Sequence, residues 1–341
     1  MNVGYVLDTH YGEYRQPVPA PQLTEERLRV IAEEAARADA AGFEGVYVPD
    51  RHARTECMVA SPLVFLASLL PHVPRARLGV FSLVLTAYHP MLIAEEAALV
   101  DLLSGGRLTL TVSMGYHQAY WRQFGIDGQQ RMSRFEESLE ILREAWQGKP
   151  FSFHGQRFDL DDVLCTPPPH QPGGPRLWIG GESSKQVSRA ARLADGWAAG
   201  ITPLDEERWK RKVGRYRAEA EEVGRDAHVV LMRDAFVADD FATAARIAGP
   251  GIVGEQLFYF QENGLQPMNA RFQTQDDFTI EALRSHLVIG SPADCIEQIR
   301  RFETELGVDT LVLRLRWPKG PSQDQVFEAI DRFGAEVLPY V

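Results

Sequence analysis

Apolar positions along this chain fall into two patterns. The first is a short, nearly unbroken block rich in Val, Leu and Ile, as expected of a strand covered on both faces. Such blocks stand at Val3–Leu7, Gly45–Val48, Leu78–Leu85, Leu108–Val112, Leu177–Ile179, Gly196–Ala199, Val229–Val237 and Thr310–Leu315. In the second pattern, between most of these blocks, apolar residues return every third or fourth position, the spacing of a helix with one buried face. Thr24 to Ala41 is the clearest case, with Thr24 as N-cap, an Ala-rich body and Gly42 just past its end. A second helix is expected from Pro90, with Ile93, Ala97, Val100 and Leu103 on one face and Ser104-Gly105-Gly106 as its stop. With the blocks on either side it makes a βαβ unit, whose strands must be parallel and joined by a right-handed crossover.

About eight βα units in one chain predict an α/β fold, a (β/α)8 TIM barrel formed by residues 1–341 as one domain. A doubly wound open sheet needs fewer strands and comes second. Two gaps are too long for simple loops. Met114 to Arg176 carries a helical face (Met132, Phe135, Leu139, Leu142, Trp146), a hairpin-like FSFHGQRFDL and a Pro-rich turn, and Asp239 to Asp309 has no strong period. The barrel is therefore expected to bear insertions after strands 4 and 7. Both follow strand ends and should wall a pocket over the same mouth, where such barrels keep their chemistry.

An apolar share of 45% is ample for a core of this size. The net charge of −11 argues against nucleic acid or an anionic membrane as partner. Cys57, Cys165 and Cys295 are odd in number and scattered, which predicts free thiols in a reducing compartment. The first residues enter a strand at once without a basic-then-apolar leader, and the longest apolar stretch, Pro62 to Val73, is too short to span a bilayer. A soluble, cytoplasmic protein is expected.

Candidate chemistry gathers where strands end. Asp50-Arg51-His52 closes the second strand with an acid, a guanidinium and an imidazole able to move protons near neutral pH. Leu177-Trp178-Ile179 runs into Gly180-Gly181-Glu182-Ser183 and then a helix, a corner where backbone N–H groups and the helix dipole can hold an anion. Arg131 and Arg134 open another helix, where cations are disfavoured unless an anion or Glu136, Glu137 or Glu140 answers them. Asp8-x-His10 lacks the converging ligands of a metal centre, so no metal is expected and His10 reads as a wall or structural histidine. Gly249-Pro250-Gly251-Ile252-Val253-Gly254 matches G-x-G-x-x-G but follows a helical segment, and is expected to be a surface loop.

Several stretches together resemble the bacterial luciferase-like superfamily of flavin- and deazaflavin-dependent enzymes. They are VYVPDRH, HP…AEEAALVDLLSGGRL, QFGID…RFEESLEIL, PRLWIGG…AARLADGW and IGSPADCIEQIRRFETELGVDTLVLRLRWP, in order along nearly the whole chain. The resemblance implies a two-component monooxygenase that takes reduced FMN (FMNH2) from a separate flavin reductase and passes one oxygen of O2, through a flavin (hydro)peroxide, to a small organic substrate. It places the FMN phosphate at the backbone of Gly181, Glu182 and Ser183 with Arg131 as counter-charge, and a cis Phe81–Ser82 peptide under the ring. Gly180, Ser82, Ser113 and Tyr116 complete the expected cofactor set, and His52 and Arg51 the catalytic pair. Trp317, Tyr11, Tyr88 and His286 are candidate substrate walls. The family habit implies a homodimer.

Three positions depart from the family pattern. Arg51 stands where luciferases have their basic histidine, and Met114 where they aim an arginine at the phosphate. Both point away from light emission. Tyr116 replaces the glutamate of the deazaflavin-dependent sugar-phosphate dehydrogenases. A deazaflavin-dependent hydride-transfer enzyme and a non-catalytic flavin-binding protein are the alternatives.

Overall fold

The structure is a computed structural model that describes every residue except Tyr11, Glu13, Ile201 and 264–270. Strand β1 (Asn2–Val6) leads to α1 (Pro21–Ala41), and β2 (Gly45–Val48) to α2 (Pro62–Leu69). Then come β3 (Arg77–Val84), α3 (Pro90–Leu103) and β4 (Leu108–Ser113). The next segment holds α4 (Gln118–Gln123), α5 (Arg131–Ala145) and an antiparallel hairpin of β5 (Phe151–His154) and β6 (Asp159–Val163). Alternation resumes with β7 (Arg176–Gly180), α6 (Ser184–Leu193), β8 (Gly196–Ala199), α7 (Glu206–Glu222) and β9 (Val229–Val237). After β9 come α8 (Phe241–Asn263), α9 (Ile280–Leu283), β10 (Val288–Gly290) and α10 (Pro292–Thr304), and the fold ends with β11 (Thr310–Arg314) and α11 (Gln323–Arg332).

Eight of these strands, β1-β2-β3-β4-β7-β8-β9-β11, pair in parallel and close into a barrel, since β11 pairs with β1 and β9 with both β8 and β11. They are the eight blocks read from the sequence. β10 pairs only with the far half of β9. Helices surround the ring, and the apolar faces between helices and strands form the main core.

The inside of the barrel is filled at one end and accessible at the other. Val6, Tyr47, Trp178, Ala198, Val230 and Val312 pack together there, all buried. Tyr47 fits because Gly4, Gly45 and Gly79 leave it room: a Cβ on any of them would sit within 2.8 Å of the ring. Phe81 and Met232, packed against this cluster from nearer the strand C-termini, are only partly covered. That step from buried to accessible side chains marks the mouth.

Two helices differ from expectation. α1 starts a turn early, because Pro21 already has the fixed φ of a first helical residue, and Ala20 rather than Thr24 is its N-cap. The glycine motif is no surface loop but the middle of α8, with Pro250 inside the helix. Packing overrides the poor propensity of Gly-Pro-Gly. A Cβ on Gly251 would meet the Gly320 Cα at 2.8 Å and the Trp317 Cβ at 2.9 Å, so the missing side chain lets α8 press against the segment after β11.

Candidate active site at the barrel mouth

The ends of β3, β4 and β7 form a shelf of small residues. The Phe81–Ser82 peptide is cis, as expected, and the β3–β4 register shifts between Val80 and Leu83. Ser82 Oγ donates to Ser113 Oγ at 3.1 Å. Gly180 lies beside both: its missing Cβ would be 3.6 Å from the Ser113 Cβ and 3.8 Å from the Ser82 Cβ. All three residues are partly exposed.

Beyond the shelf the chain turns from β7 into α6. Gly181 has φ +129°, a conformation that side chains rarely adopt. Its N–H donates to Ala198 O at 3.0 Å, so Gly181 does not offer the anion donor expected of it. Ser183 caps α6, accepting from Gln186 N at 3.3 Å. The first-turn amides that follow a cap are the ones a helix leaves without intrahelical partners. Glu182 turns its carboxylate away from them, toward Thr202 (3.4 Å) and Lys212 (4.0 Å). Burial raises its pKa, with Lys212 and Arg233 opposing the rise.

The two arginines at the start of α5 are answered by backbone and rings, not by the acids of their own helix. Arg131 donates to Gly128 O at 2.9 Å, lies over Trp121, and forms no hydrogen bond with the Gly180–Ser183 corner. Arg134 reaches Thr86 O at 3.2 Å and stacks on Phe158. Glu136 pairs with Arg189, and Glu137 takes the backbone N–H groups of Gln156, Arg157 and Phe158.

After β2, Asp50 organises a compact hydrogen-bonded group. Its Oδ2 accepts from Val84 N at 2.8 Å, and its Oδ1 lies 3.0 Å from both the Tyr88 hydroxyl and His52 Nε2. His52 Nε2 is also 2.8 Å from Tyr88 Oη. The imidazole is buried, with Tyr88, Tyr120 and Phe124 edge-on around it. Burial, then Asp50, raises the Tyr88 pKa, which keeps that phenol protonated. A proton on Nε2 is therefore shared between a carboxylate and a phenol.

Opposite, β1, β9, β11 and α8 contribute a buried charge network. Asp8 Oδ1 is 2.6 Å from His10 Nδ1 and 3.4 Å from Arg51 Nη1. Despite burial, His10 and Arg51 hold the Asp8 carboxyl well below its usual range. Burial and Arg51 push the His10 pKa down, but Asp8 outweighs them and it ends above the ordinary histidine value. Arg314 bridges Asp234 (2.8 Å) and Glu255 (2.5 Å), Trp317 Nε1 donates to Asp234 at 2.9 Å, and Glu255 lies 4.0 Å from Arg51. His10, Glu56 and Cys57 bring ligand-type atoms within 4.8 Å of one another, but Arg51 Nη1 stands 2.6 Å from the His10 ring nitrogens. A fixed cation there opposes a metal ion.

The outer half of α8 roofs this side. Phe258 stacks on Tyr14 at 4.0 Å, Tyr259 meets Tyr116, and Tyr116 also meets Tyr120. Tyr116 accepts from Arg54 Nη2 at 3.0 Å. Tyr88 and Trp317 thus lie among the mouth residues, and Tyr11 falls outside the described residues. Sequence reading missed Asp234, Glu255, Arg314, Tyr14, Tyr120 and Tyr259. A signal existed: Arg233-Asp234 and Arg314 interrupt apolar strands, and buried charges must be paired.

His286, the remaining candidate wall, is buried. It packs on Phe272, and burial, then Arg233, Arg301 and Arg271, push its pKa down to about 3. The unfolded chain takes up that proton near pH 6.5. The folded state does so only near pH 3, so stability falls as pH drops below about 6.5, by about 2 kcal/mol at pH 5. Urea denaturation at pH 7 and pH 5 is expected to show this loss in the wild type and a smaller one in His286→Gln.

The model of the luciferase-like monooxygenase family matches residues 1–310. The chain belongs to this family. The luciferase-like chain is 24% identical over 317 residues to the oxygenase component of a flavin-dependent trigonelline monooxygenase from Acinetobacter baylyi, covering 89% of this chain and 86% of that one. Its fold is similar to the oxygenating constituent of 3,6-diketocamphane monooxygenase from Pseudomonas putida, solved in complex with FMN (TM-score 0.80, 18% identity, 100% and 99% coverage). It is also similar to an F420-dependent secondary alcohol dehydrogenase in complex with an F420-acetone adduct (TM-score 0.74, 18% identity, 98% of each chain). Members of this one fold therefore use different redox cofactors. No helix among the described residues is long and apolar enough to cross a membrane.

Proposed function

We propose that this luciferase-like chain is the oxygenase component of a two-component system, using reduced FMN from a separate flavin reductase to insert one oxygen of O2 into a small organic substrate. The observation that carries it is the Ser82–Ser113–Gly180 shelf at the accessible end of a closed barrel. Side chains this small fit a flat ring laid across three strand ends. The bound flavin supplies the reaction with dioxygen.

The chain's own residues bind, orient and shield. The backbone N–H groups of Glu182 and Ser183, just ahead of the first turn of α6, are offered to a phosphate, and the Glu182 carboxylate is already turned aside. Arg131 joins them as counter-charge once it leaves Gly128 O. Tyr116 closes the site near Arg54. His52 holds or moves a proton at Nε2, steadied by Asp50 and Tyr88. Arg51 places positive charge near a developing anion, and the aromatic roof of α8 keeps water out. The names of the trigonelline and diketocamphane relatives support the reading.

In this reading the protein works in the cytoplasm, supported by three unpaired cysteines, Cys57, Cys165 and Cys295. It pairs as a homodimer. Exposed Val64 of α2 with Leu92, Leu99 and Leu103 of α3 support that, as an aliphatic face suited to a like face.

Titration of oxidised FMN, FMNH2 and reduced deazaflavin into the pure protein tests the cofactor. FMNH2 is expected to bind tightest and to give substrate-linked oxygen uptake. Preference for the deazaflavin would make the chain a hydride-transfer enzyme. Tight oxidised FMN without such uptake would make it a flavin-binding protein.

A further inference from the structure

Three arginines reach the strand-1 and strand-2 side of the mouth, and one of them lacks a counter-charge. Arg51 is answered by Asp8, and Arg314 by Asp234 and Glu255. Arg54 forms no ion pair among the described residues. Its Nη2 donates to Tyr116, while its Nη1 is buried with no hydrogen-bond partner. The groups that act on its charge are the phenols of Tyr116, Tyr259 and Tyr120 and the thiol of Cys57. Burial holds Tyr120 and Tyr259 above the ordinary phenol value, so they stay neutral.

The surroundings of Arg54 are otherwise aromatic. Its guanidinium lies 5.0 Å from the centroid of the Phe258 ring, and Tyr116, Tyr120 and Tyr259 adjoin one another beside it. A buried donor without an acceptor is rare in folded proteins, and rarer for a charged group. A carboxylate would satisfy both the free N–H and the charge, and the phenols and phenyl beside it suit a flat ring. The flavin phosphate is not the natural occupant. Arg54 follows β2, three strands around the ring from the anion corner after β7, with the shelf of β3, β4 and β7 between them.

We propose that the substrate is an aromatic carboxylate and that Arg54 is the residue that binds its carboxylate group. The proposal deepens the oxygenase reading and rests on it for the role of this ligand as substrate. Tyr116, by accepting from Nη2, holds the guanidinium so that Nη1 faces the ligand.

Benzoate and benzamide test it, being alike in shape and different in charge. Calorimetric titration of the full-length protein is expected to show benzoate binding about tenfold or more tighter than benzamide. Arg54→Gln is expected to remove that preference by weakening benzoate alone, and Arg54→Lys to restore part of it. Equal affinity of the two probes for the wild type overturns the proposal, as does binding of neither. Survival of the preference in Arg54→Gln also overturns it. If Arg54→Gln does not fold, Arg54→Lys decides with the wild-type pair, because loss of the fixed planar guanidinium must still narrow the preference. The flavin titration run beside it reads the cofactor separately. A wild type that prefers benzoate but binds no flavin overturns the oxygenase reading and leaves the anion site standing.

Discussion

Replacing His52 by Asn is expected to lower substrate-linked oxygen consumption by about 10²- to 10⁴-fold, the range of a lost proton-transfer group. The expectation follows from position. His52 is buried at the mouth with Nε2 shared between Asp50 and Tyr88, and its ring is fixed by three aromatic edges. Flavin affinity should be unchanged, because the shelf and the α6 corner belong to β3, β4 and β7. Tyr88→Phe is expected to cost less, since His52 keeps Asp50. Steady-state oxygen uptake with flavin binding measured alongside decides the matter: a His52→Asn enzyme with near-normal turnover makes His52 a packing residue.

Replacing Arg314 by Met is expected to destabilise the fold by about 3–5 kcal/mol, the effect of removing one partner from a buried ionic group. Arg314 is almost fully buried, and without it Asp234 and Glu255 face each other with no cation between them. Adding Asp234→Asn and Glu255→Gln to Arg314→Met should recover much of the loss, because the penalty lies in the stranded charges. Denaturant melts of the single and triple variants provide the comparison. Equal stability of the two would mean that Arg314 acts through its packing.

Most of the barrel could be read from the sequence because a strand covered on both faces needs an apolar block. All eight such blocks became barrel strands. The mouth was only half legible. Residues adjacent in sequence to strand ends, such as Asp50, His52, Gly180 and Gly181, could be found by position alone. Glu255 and Tyr259 could not, because they reach the mouth through a helix that runs across Gly249-Pro250-Gly251, where local propensity says stop. What continues that helix is contact with Trp317 and Gly320, far along the chain. The partners of Arg131 and Arg134 were hidden for a similar reason: the carbonyls of Thr86 and Gly128 that answer them have no side-chain signature.

The tyrosine and tryptophan that fill the lower barrel have a kinetic consequence. Tyr47 and Trp178 leave no rear exit, so every ligand comes and goes by a single doorway. A guest on Ser82, Ser113 and Gly180 and one at Arg54 therefore share that doorway. Loading is then a matter of traffic: whichever guest stands nearer the opening must leave before the other can.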